Sequence, residues 1–186
     1  MDSIAAEMRR VMSEADCLAS PAQVSAALDR MAAAISAELA GKNPLLYCVM
    51  NGGIVTTGRL LPRLAFPLEV SYLHATRYGH AVQGGDVLDW QVRPQADLRG
   101  RSVLVVDDIL DEGHTLLAIC QHLAAAGAER VLSAVLVHKE HPRKARPGLR
   151  ADFTGLDVAD RFLFGCGMDY KGYWRNAPGI YAVKGL

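Results

Sequence analysis

One segment limits this chain more than any other: Val103-Leu104-Val105-Val106-Asp107-Asp108-Ile109-Leu110-Asp111-Glu112-Gly113-His114-Thr115. Four consecutive apolar residues, three of them β-branched, read as a strand buried on both faces, the habit of a parallel sheet. Two carboxylates follow at once, then two more, then a glycine and the opening of a helix. In open α/β sheets ligands bind at the carboxyl ends of the strands. A helix N-terminus placed there offers free backbone N–H groups to a phosphate, Thr115 can add a hydroxyl, and Gly113 permits close approach.

The rest of the chain supplies the sheet. Leu45 to Met50 is a continuous apolar run ending in a turn at Asn51-Gly52-Gly53, which suits a buried strand. A helix over 54–65, interrupted at Pro62, and a strand at Leu68, Val70 and Tyr72 come next. A helix over 115–126 and a strand over 130–138 follow the acidic turn. This alternation predicts an α/β fold with a doubly wound parallel sheet core. Ahead of it, Val24, Leu28, Met31, Ile35 and Leu39 make one helical stripe over 21–40, opened by a Ser20–Gln23 capping box and closed by Gly41. Another helix is expected over 3–14.

Residues 75–90 carry three glycines and no apolar period. They read as a long loop of the kind that serves function. From residue 141 the rhythm fails: prolines and basic residues lead into a tail rich in glycine and aromatics. The chain therefore divides into N-terminal helices over 1–40, a core over 41–140, and a connector with a small subdomain over 141–186. The N-terminal helices contribute to that subdomain, a hood built from the chain's two ends.

Lysine plus arginine equals aspartate plus glutamate at 20 each, so no overall field draws in nucleic acid or an anionic membrane. Neither partner is expected. Cys17, Cys48, Cys120 and Cys166 form no ligand or redox spacing and read as free thiols of a cytoplasmic protein. The charged N-terminus cannot serve as a signal-peptide core.

Four acids within six positions would repel a polyanion by about 4 kcal/mol per close pair at an effective dielectric of 20. They suit a ligand that turns hydroxyls toward Asp107 and Asp108 while a hard divalent cation screens its phosphates. A sugar phosphate bearing pyrophosphate, bound with magnesium, meets both demands.

The segment closely resembles the phosphoribosyl-pyrophosphate signature of type I phosphoribosyltransferases: an apolar strand, two acids, two apolar residues, then Asp-x-Gly-x-Thr. A second block, Asp152 to Leu156, Asp160 to Gly165, Met168-Asp169-Tyr170 and Tyr173-Trp174-Arg175, is similar to the base-binding hood of the hypoxanthine-guanine phosphoribosyltransferases. The resemblance covers about residues 40–180. It implies a purine-salvage glycosyltransferase that joins hypoxanthine or guanine to phosphoribosyl pyrophosphate with Mg2+, and a homo-oligomer, dimer or tetramer.

What the resemblance implies for single residues is as follows. Asp107 and Asp108 would hold the ribose hydroxyls and help position magnesium, and Asp111 would be the general base near purine N7. Glu112, Gly113, His114 and Thr115 would cradle the 5′-phosphate. Phe162 would stack on the base, the Leu163 backbone would read its edge, and Lys139 would donate to its 6-oxo oxygen. Asp169 would reach a second magnesium through water, and Arg175 would contact pyrophosphate. Asn51-Gly52 stands where that family usually has Lys-Gly, Asp-Asp where Glu-Asp is common, and Arg77-Tyr78 where the closing loop usually has Ser-Tyr. Arg77 could replace the missing lysine charge.

Two other classes compete. A nucleotide-sensing regulator of the same fold that binds RNA would use Arg143, Lys144, Arg146 and Arg150. A phospho-acceptor receiver domain also carries an acidic pair, but places it after its first strand and follows it with an isolated aspartate on a later one. Among enzymes, transfer to xanthine, adenine or a pyrimidine stays open.

Overall fold

The computed structural model describes residues 3–77 and 88–186, with Arg77 described for its backbone only. The strand predicted from Leu45 is β2 (Leu45–Val49), buried at every position, and it sits between β3 (Glu69–Arg77) and β5 (Ser102–Leu110). β6 (Arg130–Glu140) and β7 (Phe153–Ala159) extend the sheet on one side, and β4 (Leu88–Val92) closes it on the other. All pairs are parallel except β3–β4.

The helices wind on both faces. α2 (Pro21–Leu39) carries the expected stripe, with Val24, Leu28, Met31, Ile35 and Leu39 all buried, and its capping box is formed by Ser20 and Gln23. Together with α3 (Gly53–Leu60) it covers one face in a core that includes Leu46, Leu104 and Leu136. On the opposite face, Leu116, Ile119 and Leu123 of α4 (His114–Ala125) meet Tyr47, Val103 and Val105. Pro62 lies in a one-turn 3-10 helix, Leu61–Arg63, that ends α3, as a proline without a donor would require.

Because α3 and α4 lie on opposite faces, the crossovers diverge between β2 and β5. This is the topological switch point, where a crevice opens outside the strand ends. Cys48 pairs with Val106 across it, so Asn51 and Asp107 both emerge at the same edge.

Outside this sheet, α1 (Ile4–Glu14) is followed by β1 (Asp16–Ala19). β1 joins β8 (Leu163–Phe164) and β9 (Ile180–Ala182) in a separate antiparallel sheet, ordered β1-β9-β8. Phe164 stacks on Tyr181 at 5.5 Å within it. α1 is tied to the C-terminal segment by Trp174 Nε1, which donates to the Met8 carbonyl at 3.0 Å, and by Lys171, which pairs with Glu7 at 2.7 Å.

Of the loop expected over 75–90, residues 78–87 lie outside the described residues, and both ends are strand. Residues 75–77 continue β3 and pair with β4, Arg77 opposite Leu88. β5 also runs longer than its apolar run, because the ladder to β6 continues through Asp107, Ile109 and Leu110, with Asp107 opposite Val135. The cysteines are all free, Cys48 and Cys166 buried. No helix among the described residues is long and apolar enough to cross a membrane.

Candidate active site

A cavity of about 750 Å³ opens at the switch point, lined on one side by Asn51, Gly52, Asp107, Asp108 and the turn Asp111–Thr115, and on the other by Lys139, Phe162, Leu163, Asp169 and Arg175. It is of the size that holds a small organic ligand. Of the residues expected from sequence, only Tyr78 and the Arg77 side chain lie outside the described residues. Every other one lines this cavity.

The acidic pair sits at the end of β5. Asp108 is buried, and Asp107 Oδ1 accepts the Asp108 backbone N–H at 2.9 Å. Loss of water pushes both carboxyls above the ordinary aspartate range, and the neighbouring Asp108 charge pushes Asp107 further. Among the described residues no basic side chain forms an ion pair with either. Gly52 is required beside them, since a Cβ there would overlap the Asp108 carboxylate.

Past β5 the chain turns into α4 through Gly113, whose φ of +87° favours glycine. The space its missing side chain leaves is used by the protein: a Cβ would lie 2.5 Å from Leu149 Cδ2. Leu149 of the connector thus packs against the glycine on its Cβ side, while Gly113 itself lines the cavity. The first turn of α4, with His114 and Thr115, lines the cavity.

Lys139 closes β6. Its Nζ lies 2.7 Å from Asp111 Oδ2 and 3.8 Å from Asp160 Oδ1, with its side chain only 11% exposed. His141 Nε2 lies 2.6 Å from the other Asp111 oxygen. Partial burial acts to raise the Asp111 carboxyl, but the Lys139 and His141 hydrogen bonds outweigh it and hold it below the ordinary range. Asp111, His141 and Asp160 are close enough to share a metal ion. The Lys139 ammonium sits among them instead, so the cluster is already charge-compensated.

On the far wall Phe162 is 45% exposed and meets Tyr170 edge-on at 5.8 Å. Large aromatics seldom stay this open without a partner to cover them. Arg175 pairs with Asp169 at 2.5 Å and donates to the Gly167 carbonyl at 2.6 Å, while Asp169 also accepts the Gly172 N–H at 2.7 Å.

Three of these groups escaped sequence reasoning. His141 gave no signal, being a single polar residue next to a turn, and Asp160 stood only as one residue of the second block, with no role of its own. Lys144 looked like part of a solvated basic run, yet it donates to the carbonyls of Leu110, Asp111 and Lys139 at 3.3, 2.5 and 2.5 Å. Arg143 pairs with Asp160 and Arg150 with Asp157. Three of the four basic residues that would have met RNA are therefore spent on internal contacts.

Comparison with known proteins agrees with the geometry. The family described as phosphoribosyl transferase domain matches residues 17–171. A hypoxanthine-guanine phosphoribosyltransferase of Streptococcus thermophilus is 31% identical over 154 residues, which cover 81% of this chain and 82% of that protein. One from Streptococcus pneumoniae is 29% identical over 167 residues, 90% of this chain and 92% of that protein. Among solved structures, a hypoxanthine phosphoribosyltransferase of Staphylococcus aureus superposes with a TM-score of 0.86 over 98% of this chain and 97% of that one, at 21% identity. That last likeness speaks for the fold alone; the matched domain and the sequence relatives carry the rest. The chain belongs to the phosphoribosyltransferase family, among the hypoxanthine-guanine phosphoribosyltransferases, and is a glycosyltransferase of purine salvage.

Proposed function

We propose that this enzyme transfers the 5-phosphoribosyl group from phosphoribosyl pyrophosphate to hypoxanthine or guanine, releasing pyrophosphate. The observation that carries this reading is that one cavity is lined by an acidic pair (Asp108 buried) and a helix N-terminus together with Lys139 and the open ring of Phe162. One half suits a phosphorylated sugar and the other a flat base with an exocyclic oxygen.

The ribose hydroxyls donate to Asp107 and Asp108, and the 5′-phosphate meets the first amides of α4 and the Thr115 hydroxyl. The turn at Asn51-Gly52 presents backbone to pyrophosphate, with Arg175 as its cation and Arg77 and Tyr78 as closing residues. The base stacks on Phe162 beside the Leu163 backbone. There Lys139 donates to its 6-oxo oxygen, and Asp111 takes the proton from N7 as N9 bonds to C1′ and the C1′–oxygen bond to pyrophosphate breaks.

The donor set fits magnesium. Asp107 and Asp108 offer hard oxygens whose pKa values burial pushes up, so a cation bound there would stabilise their charged form, and Asp169, held by Arg175 and the Gly172 N–H, could still accept from a bound water. When bound, the cation neutralises the charge gathering on the departing pyrophosphate.

A homo-oligomer working in the cytoplasm belongs to the same reading. The free thiols support that compartment, and the exposed Val70 and Tyr72 on β3 support a further contact.

The test is a panel of bases with phosphoribosyl pyrophosphate and magnesium. Hypoxanthine and guanine should be converted to their monophosphates. Adenine should fail by about 10⁴-fold, because Lys139 offers only donors where adenine also presents a donor. Xanthine belongs in the panel as the nearest oxo-base. Turnover of adenine without hypoxanthine would sink the assignment.

A further inference from the structure

Asp111 is held at both carboxylate oxygens, and its two donors are of different kinds. Lys139 reaches it on a long flexible stem. His141 reaches it from the residue just beyond β6, with its side chain turned inward and only 2% exposed.

The imidazole has a defined proton. His141 Nδ1 accepts the backbone N–H of Arg143 at 3.1 Å. A ring nitrogen that accepts carries no proton, so the proton sits on Nε2 and is donated to Asp111 Oδ1 at 2.6 Å. The short turn from His141 to Arg143 thus fixes both the ring plane and the tautomer. Around it the connector grips the end of β5 by backbone as well. Lys144 donates to the carbonyls of Leu110 and Asp111, and the Ala145 N–H donates to the Glu112 carbonyl at 2.8 Å.

A ligand affects the two donors differently. When the Lys139 ammonium turns to an oxo oxygen, Asp111 Oδ2 loses its partner and gains an accepting lone pair. His141, buried and locked to Arg143, cannot follow. We propose that His141 is a positioning residue for the transfer, holding Asp111 Oδ1 so that Oδ2 is the oxygen presented to purine N7. This rests on the proposed role of Asp111 as base. Oδ2 accepts the N7 proton, the N–H electron pair returns to the ring, N9 bonds to C1′, and pyrophosphate leaves with the electrons of the broken C–O bond. A neutral N–H donor suits the task, since a second ammonium would drain the carboxylate's basicity more strongly.

Two substitutions separate the ring's two contacts. His141→Asn keeps an acceptor near the Nδ1 position for Arg143 but falls short of Asp111. His141→Gln places an amide N–H near the Nε2 position. In steady-state assays with saturating phosphoribosyl pyrophosphate and magnesium, His141→Asn should lower kcat by about 10- to 100-fold with KM for phosphoribosyl pyrophosphate within about twofold. His141→Gln should recover kcat to within about threefold of the parent, with both variants melting as cooperatively as the parent. In an Asp111→Asn background, His141→Asn should cost nothing further, because coupled residues do not add.

Parent-like kcat in His141→Asn, equal loss in His141→Gln, or full additivity with Asp111→Asn would each overturn the positioning role while leaving Asp111 as the base. Parent-like kcat in Asp111→Asn alone would overturn the base assignment, and the positioning role with it.

Discussion

Lys139 Nζ and Asp111 Oδ2 lie 2.7 Å apart, so the cation we propose for a purine's oxo oxygen and the carboxylate we propose for its proton are bound to each other in the free protein. Base binding must exchange that pair for two contacts to the ligand. A carboxylate restrained in this way is fixed in place, and its pKa is held below the ordinary aspartate range by Lys139 and His141 against the effect of burial.

Asp111→Asn should therefore act on the chemical step. The expected loss in kcat is about 10²- to 10⁴-fold, the usual share of general acid–base catalysis. Phosphoribosyl pyrophosphate binding, measured by calorimetry, should change little, since its phosphate meets mainly backbone. Collapsed binding with unchanged turnover per bound complex would make Asp111 a ligand-holder.

Neutralising the acidic pair should do the reverse. Asp107→Asn with Asp108→Asn removes the acceptors for the sugar hydroxyls and the cation, so phosphoribosyl pyrophosphate affinity should fall by about 10- to 100-fold, on the order of 1.5–3 kcal/mol for charge-assisted bonds. The ligand-free double variant should melt no lower than the parent, because burial already disfavours both charges. A lower melting point with unchanged affinity would mark the pair as a structural turn.

Phe162→Ala tests the base side. A base stacked on an aromatic ring is worth about 1–3 kcal/mol, so KM for hypoxanthine should rise roughly 5- to 150-fold. Stability should barely move, because the ring is 45% exposed in the free protein. A large drop in melting temperature would show that Phe162 belongs to the core.

Gly113→Ala should destabilise the fold by about 1–3 kcal/mol in chemical denaturation, through its positive φ and overpacking against Leu149. Adding Leu149→Ala should not restore the parent, since it relieves the collision and leaves the backbone strain. Parent-like stability in Gly113→Ala alone would contradict the turn geometry described.

The parts legible in sequence were those with a period or a fixed spacing. The α2 stripe, the apolar runs of β2 and β5 and the acidic turn each declare themselves within a dozen residues. β1, β8 and β9 are too short to show alternation, and the pairing of β1 with β9 joins residues far apart in the chain, such as Asp16 with Ala182. β4 was hidden because Leu88-Asp89-Trp90 follows a glycine-rich stretch. The Lys144 contacts were illegible for another reason: a lysine in a run of basic residues gives no hint that three carbonyls converge on it.

The order of the small sheet bears on how the chain is made. β1 is synthesised ahead of every strand of the large sheet and its partner β9 after all of them, and β9 is also the strand that holds β8 with Leu163. All six strands of the large sheet, and with them the acidic turn, are synthesised before β9 appears. A nascent chain can thus complete the half proposed to hold the sugar phosphate while the half proposed to hold the base still lacks a middle strand. A ribosome stalled short of residue 180 would hold a protein with a finished floor and an unfinished wall.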